Sequence, residues 1–167
     1  MLRAVNVGGR KLAMSDLRRL TETAGGRDVE TYLQSGNVVF RGSARVVRAL
    51  EQAIGAELGL EVPVLLRSAD DLAALVAAKP YDAEGAQVSV TFLAAAPAND
   101  AVAAIDPAAY GADRFVVNGR EVYLHTPNGY GRSKLTNAFW ERKLGVAATT
   151  RNWNTVLALA QMTANSR

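Results

Sequence analysis

Apolar residues dominate the start of the chain, at Leu2, Ala4, Val5 and Val7, predicting a short strand over 2–7 that Gly8-Gly9 break. The period then lengthens: Leu17, Leu20 and Ala24 share one helical face, so a helix is expected from about Ser15. Ser15 reads as its N-cap and Gly25 as the residue just past its end. Two strands follow, over 29–34 and 37–41, joined by a two-residue turn at Ser35-Gly36. A longer helix over 44–58 carries Val46, Val47, Leu50, Ile54 and Leu58 at helical spacing and ends at Gly59. An apolar strand over 62–67 contains Pro63, which suits an edge position. The order is β-α-β-β-α-β, the split βαβ arrangement of ferredoxin-like units.

Ser68 with Asp71 reads as a capping box opening a linking helix through Leu72, Leu75 and Val76, which stops before Pro80. After a loop over 81–86 the pattern restarts. A strand over 88–93 and a short helix over 100–105 lead to a hairpin of 114–117 and 121–125 around Asn118-Gly119. A helix over 133–144, with Ser133 as N-cap, a last short strand over 148–151 and a helix over 154–163 complete the chain. The expected fold is α+β: two tandem ferredoxin-like subdomains, 1–67 and 87–167, joined by a linking helix and loop at 68–86 and closed by a C-terminal helix. The repeat is one of element order, since the halves share no convincing identity.

Composition narrows the chemistry more than the fold. In 167 residues there is no cysteine and one histidine, which removes disulfides, thiolate metal sites, a cysteine nucleophile and a histidine-built zinc site. Neither a charged-then-apolar leader nor a long apolar run occurs, so a cytoplasmic protein without membrane contact is expected. The glycines fit neither the P-loop nor the dinucleotide fingerprint, and no G-x-S-x-G elbow occurs, so no cofactor is implied. The net charge of +3 is unevenly spread. Residues 1–67 carry +3, residues 68–125 carry −5, and residues 126–167 carry +5 through Arg132, Lys134, Arg142, Lys143, Arg151 and Arg167 against Glu141. An anionic partner is one reading of that tail, and a solvated basic face the other.

Ferredoxin-like topology gathers the polar residues at two edges. One edge would hold Asn6, Gly8, Gly9, Arg10 and Lys11 with Gln34, Ser35 and Asn37, an anion or carbonyl cradle. The other would hold Tyr130, Arg132, Ser133 and Lys134 beside Thr150, Arg151, Asn152 and Asn154, with His125 close by. Facing edges would make a single polar cleft in which Arg3, Asn6, Gln34, Asn37, Lys134, Arg151 and Asn152 hold a small phosphorylated or carboxylated ligand, a nucleotide among them. Tyr32 or Trp153 would supply a stacking surface. Each element has a plainer role too: turn glycines, caps, and a core tryptophan.

The same segments carry a resemblance. Leu2-Arg3-Ala4-Val5-Asn6-Val7-Gly8-Gly9 is similar to the opening L-R-G-[IV]-N-V-G-G of the domain of unknown function 1697 family, small bacterial proteins. Met14–Arg18, the Thr31-Tyr32-Leu33-Gln34-Ser35-Gly36-Asn37 run with Val38-Val39-Phe40, Gly131–Leu135 and Thr150–Val156 resemble its further blocks. Ala4 departs from the pattern, which has glycine there. The resemblance implies the tandem architecture and brings no activity, substrate or catalytic residue.

Three alternatives to ligand binding stand beside it. Lys134 and Ser133 could serve acyl or phosphoryl transfer as acid-base or oxyanion-stabilising groups. The basic C-terminal face could bind nucleic-acid backbone, although the third strand offers only Phe40 where RNA-recognition sheets need several aromatics. The edge strand over 62–67 could pair with a second copy.

Overall fold

A computed structural model describes residues 1–9 and 11–166, so Arg10 and Arg167 lie outside the described residues. The fold is mixed α+β, with one two-stranded and one four-stranded antiparallel sheet. The chain divides into two compact units: Met1–Ser68 with the segment from Gln161 onward, and Ala69–Ala160.

In the first unit, α1 (Met14–Thr23) buries Leu17, Leu20 and Thr21, and α2 (Arg45–Leu58) buries Val46, Leu50 and Ile54. These faces meet Leu2, Val5, Leu12 and Val62 in one apolar core. Ser15 does not cap α1: the N-cap is Ala13, without a side-chain bond, because the helix starts one residue before Ser15. Strands β1 (Arg27–Tyr32) and β2 (Asn37–Arg41) pair antiparallel with Tyr32 opposite Asn37. The hairpin loop therefore has four residues, Leu33 to Gly36, rather than two. Gly36 has φ of +82°, and a Cβ there would run into Val5 and Leu2.

The expected strands over 2–7 and 62–67 do not form. Only one bridge, Leu2 to Val64, joins these segments. It is framed by bonds from Arg3 N–H to the Pro63 carbonyl (2.9 Å) and from Leu65 N–H to the Met1 carbonyl (2.7 Å). Ala4 and Asn6 both take left-handed φ near +56°, which turns the backbone out of a ladder. Pro63 has no N–H, and the Val64 N–H goes to the Glu51 carboxylate at 2.8 Å.

The second unit contains α3 (Ala69–Ala77), β3 (Val88–Leu93), α4 (Asn99–Ala103), β4 (Arg114–Asn118), β5 (Glu121–His125), α5 (Asn137–Leu144), β6 (Ala148–Asn152) and most of α6 (Trp153–Asn165). Its sheet has the order β4-β5-β3-β6, antiparallel throughout. All six residues of the central β3 are buried. On one face Leu93, Val122, Leu124 and Ala148 pack on Phe139, Trp140 and Leu144 of α5. On the other, the buried Tyr123 donates its hydroxyl to the Leu75 carbonyl of α3 at 2.9 Å.

Helix α5 begins at Asn137, four residues later than expected, and Thr136 caps it by accepting the Phe139 N–H. Residues Tyr130–Arg132 form a 3₁₀ turn, and Ser133 follows in extended conformation with ψ of 147°. Ser133 is thus not an N-cap, and Lys134 is not in a first helical turn. No helix among the described residues is long and apolar enough to cross a membrane.

Candidate functional site

The polar residues of the first unit are largely committed to one another. Asn6 donates from its amide to the carbonyls of Leu12 (3.0 Å) and Gln34 (2.6 Å), and its Oδ1 accepts the Leu12 N–H at 2.9 Å. Asn37 is fully buried and donates to the Tyr32 carbonyl (2.8 Å) and to Ser35 Oγ (3.0 Å). Both amides act as brackets, Asn6 between loops and Asn37 across the hairpin. Gly8 and Gly9 have positive φ with open space around them, so the turn's backbone angles account for both. Arg3 and Tyr32 are half-buried, while Gln34, Ser35 and Lys11 are exposed.

In the second unit, hairpin register decides what meets. Arg114 pairs with His125, so the loop leading into β4 lies beside the loop leaving β5. Between these loops is a pocket of about 380 Å³ lined by Tyr110, Asp113, Asn128, Gly129, Arg132 and Lys134, among others. Ser133 donates its hydroxyl to Asp113 Oδ2 at 2.6 Å and accepts the Leu135 N–H at 3.0 Å. The Tyr110 ring is wedged edge-on between Phe115 and Phe139, with centroids 6.2 and 5.2 Å away. The side chains of Arg132 and Lys134 are exposed and make no hydrogen bond or ion pair with described residues.

The same unit holds a hydroxyl network centred on Thr150. Thr150 Oγ1 donates to Asn137 Oδ1 (2.6 Å), accepts the Tyr130 hydroxyl (3.1 Å) and lies 2.7 Å from Thr91 Oγ1. Of the expected second edge, the structure therefore joins Tyr130 to Thr150, and Arg132 and Lys134 to one pocket.

The rest of that edge goes elsewhere: Arg151 because successive strand residues face opposite sides, and Asn152 to Asn154 because the strand ends there and α6 begins. Arg151 is 7% exposed and donates to Thr149 Oγ1 and the Thr150 carbonyl, both at 2.8 Å. Burial pushes its pKa down to about 10. Asn152 caps α6 by accepting the Thr155 N–H at 2.8 Å. Trp153 is buried, with Lys79 Nζ 5.2 Å from its ring centroid. Asn154 is exposed and packs against Gly85. None of these four lines the pocket. His125 stacks on Tyr81 at 5.4 Å and borders a different, wider hollow with Asp82, Glu84 and Gln87. Among the described residues, no group of three or more His, Cys, Asp or Glu side chains could hold a metal ion.

Sequence reasoning missed Asp113, Tyr110, Asn137 and Thr91. The hairpin turn is Gly119-Arg120, one residue later than the expected Asn118-Gly119, since Asn118 ends β4 opposite Glu121. This register, which pairs Arg114 with His125, is what brings Asp113 next to the loop after β5.

A family model described as "Protein of unknown function (DUF1697)" matches residues 1–123. The blocks at 131–135 and 150–156 lie beyond that match. A solved structure, that of the conserved bacterial protein SP0830 from Streptococcus pneumoniae, superposes with a TM-score of 0.75 at 20% identity, covering 98% of this chain and 96% of that one. At that identity the likeness is one of fold. No curated protein sequence matches the chain.

Proposed function

We propose, for a chain that belongs to the DUF1697 family of proteins of unknown function, that it binds a small anionic ligand in the loop pocket of its second unit. One observation carries this reading: Arg132 and Lys134 line a single pocket and neither has a partner among the described residues. A phosphate or carboxylate would give both cations charge-assisted bonds that the described residues do not supply. The polar edge of the first unit contributes less to this reading, since the Asn6 and Asn37 amides are already occupied.

The strand order β4-β5-β3-β6 supports a ferredoxin-like reading of the second unit. The first unit then reads as a reduced version, its outer strands cut to the Leu2–Val64 bridge.

A thermal-shift panel of phosphorylated and carboxylated metabolites at low salt tests the binding. A ligand at about 100 times its dissociation constant stabilises the native state by roughly 2.7 kcal/mol. The shift is expected to vanish in the double variant Arg132→Ala, Lys134→Ala. Absence of any shift across the panel would count against the proposal.

A second reading, acyl or phosphoryl transfer at the same pocket, is favoured by the 2.6 Å bond between Ser133 and Asp113, within reach for a carboxylate to take a hydroxyl proton. Turnover that survives Ser133→Ala would remove it.

A further inference from the structure

Opposite charges line the pocket, and they are not paired with each other. Asp113 gives Oδ2 to the Ser133 hydroxyl at 2.6 Å, and Oδ1 has no partner among the described residues. The adjacent Arg114 does not neutralise it. That guanidinium donates instead to the carbonyls of Gly111 (2.6 Å) and Asp113 (2.8 Å). Arg132 and Lys134, which line the same pocket, have no side-chain partner among the described residues, so none of the described carboxylates pairs with either cation there.

This arrangement selects against simple ions. A purely anionic ligand satisfies the two cations but brings negative charge towards a fixed carboxylate. A purely cationic ligand meets the opposite conflict. A molecule with one group of each sign satisfies all three side chains, and leaves no repulsive contact.

We infer that the pocket takes a compact zwitterion, its ammonium on Asp113 Oδ1 and its phosphate or carboxylate on Arg132 and Lys134. The inference rests on the anion-binding reading and adds the second pole. Ser133 has a positioning role: its hydroxyl fixes the carboxylate rotamer and leaves one oxygen open. The volume of about 380 Å³ is near the small end of ligand pockets, which suits a compact metabolite.

Calorimetry on the full chain at low salt, with three probes, tests it: phosphoethanolamine, glycerol 3-phosphate and ethanolamine. Phosphoethanolamine is expected to bind about tenfold more tightly than glycerol 3-phosphate, the worth of one charged hydrogen bond. Ethanolamine should bind weakest. In Asp113→Asn the two phosphates should bind alike, whereas Lys134→Ala should weaken both. Asparagine still accepts the Ser133 hydroxyl, so the loop keeps its anchor, and an unchanged melting temperature of the free variant verifies this. Equal affinity for the two phosphates in the wild type, or discrimination that persists in Asp113→Asn, overturns the zwitterion while leaving anion binding intact. Failure of both phosphates to bind overturns both readings. The wild-type comparison needs no variant.

Discussion

The side-chain amide of Asn6 donates to the carbonyl of Gln34 at 2.6 Å, tying together loops 28 residues apart in sequence. The same side chain closes the 6–12 loop on itself through Leu12, and its own backbone sits at φ of +56°. Asparagine is among the few residues that tolerate this angle while offering both donor and acceptor. Asn6→Gly keeps the backbone angle and loses the bonds, so it should cost about 1 kcal/mol. Asn6→Ala loses both and should cost about 2 kcal/mol. Urea denaturation of the two variants measures the difference, and equal losses would show that the backbone angle contributes nothing.

Ala4 stands where the resembled family has glycine, and its φ is +56°. A left-handed alanine costs about 1–2 kcal/mol, while glycine loses about 0.4–1 kcal/mol through the freedom of the unfolded chain. The backbone effect is the larger. Ala4→Gly should therefore raise stability by about 0.5–1 kcal/mol, seen as a higher urea midpoint with an unchanged slope. A lower midpoint would mean that the alanine methyl matters more to packing than its angle costs.

These two positions also mark where sequence reasoning stopped. The run from Leu2 to Val7 is apolar enough to read as a strand, and that pattern carries no information about left-handed angles at Ala4 and Asn6. By contrast the α2 stripe of Val46, Leu50 and Ile54 was legible, because local spacing alone determines it, and so was the β4-β5 hairpin, although its turn falls at Gly119-Arg120 and not at Asn118-Gly119. Ser133 misled for a different reason. It precedes an apolar run as a cap does, but Thr136 is a cap too, and the turn at Tyr130–Arg132 delays the helix until Thr136 can act. For the site, Arg132 and Lys134 were visible as unbalanced charge. Asp113 was not, since its proximity comes from strand register and not from its neighbours in the chain.

Thr150 is the hub of the hydroxyl network, bonded to Asn137 and Tyr130 and in contact with the fully buried Thr91. Thr150→Val keeps the shape and strands three polar groups, so a loss of about 2–3 kcal/mol is expected. Tyr130→Phe removes a single donor and should cost about 1 kcal/mol. In the double variant the losses should fall short of additive, because both mutations break the same bond. Strict additivity would mean that the two hydroxyls do not interact.

Burial, with a smaller contribution from the nearby Glu121 charge, raises the pKa of Tyr123 above its ordinary value. The unfolded chain then ionises first, so the stability this group provides is present below about pH 10 and is lost as pH rises further. Tyr123→Phe should be less stable than the wild type by about 1 kcal/mol at neutral pH, through the lost bond to Leu75. Above pH 10 that gap should narrow. Parallel stability curves from pH 8 to 11.5 would contradict the assignment.

The central place of β3 sets an order on synthesis. The first strand of its sheet to leave the ribosome is one of the two inner strands, and its partners β5 and β6 are made only after α4 and β4. Until then the segment Val88–Leu93, rich in β-forming residues and without charge, has both edges open. A nascent chain in this interval is most exposed to mispairing with another copy. Slower translation between Leu93 and Glu121 would lengthen that exposure, so the yield of folded protein should be most sensitive to synthesis rate across that stretch.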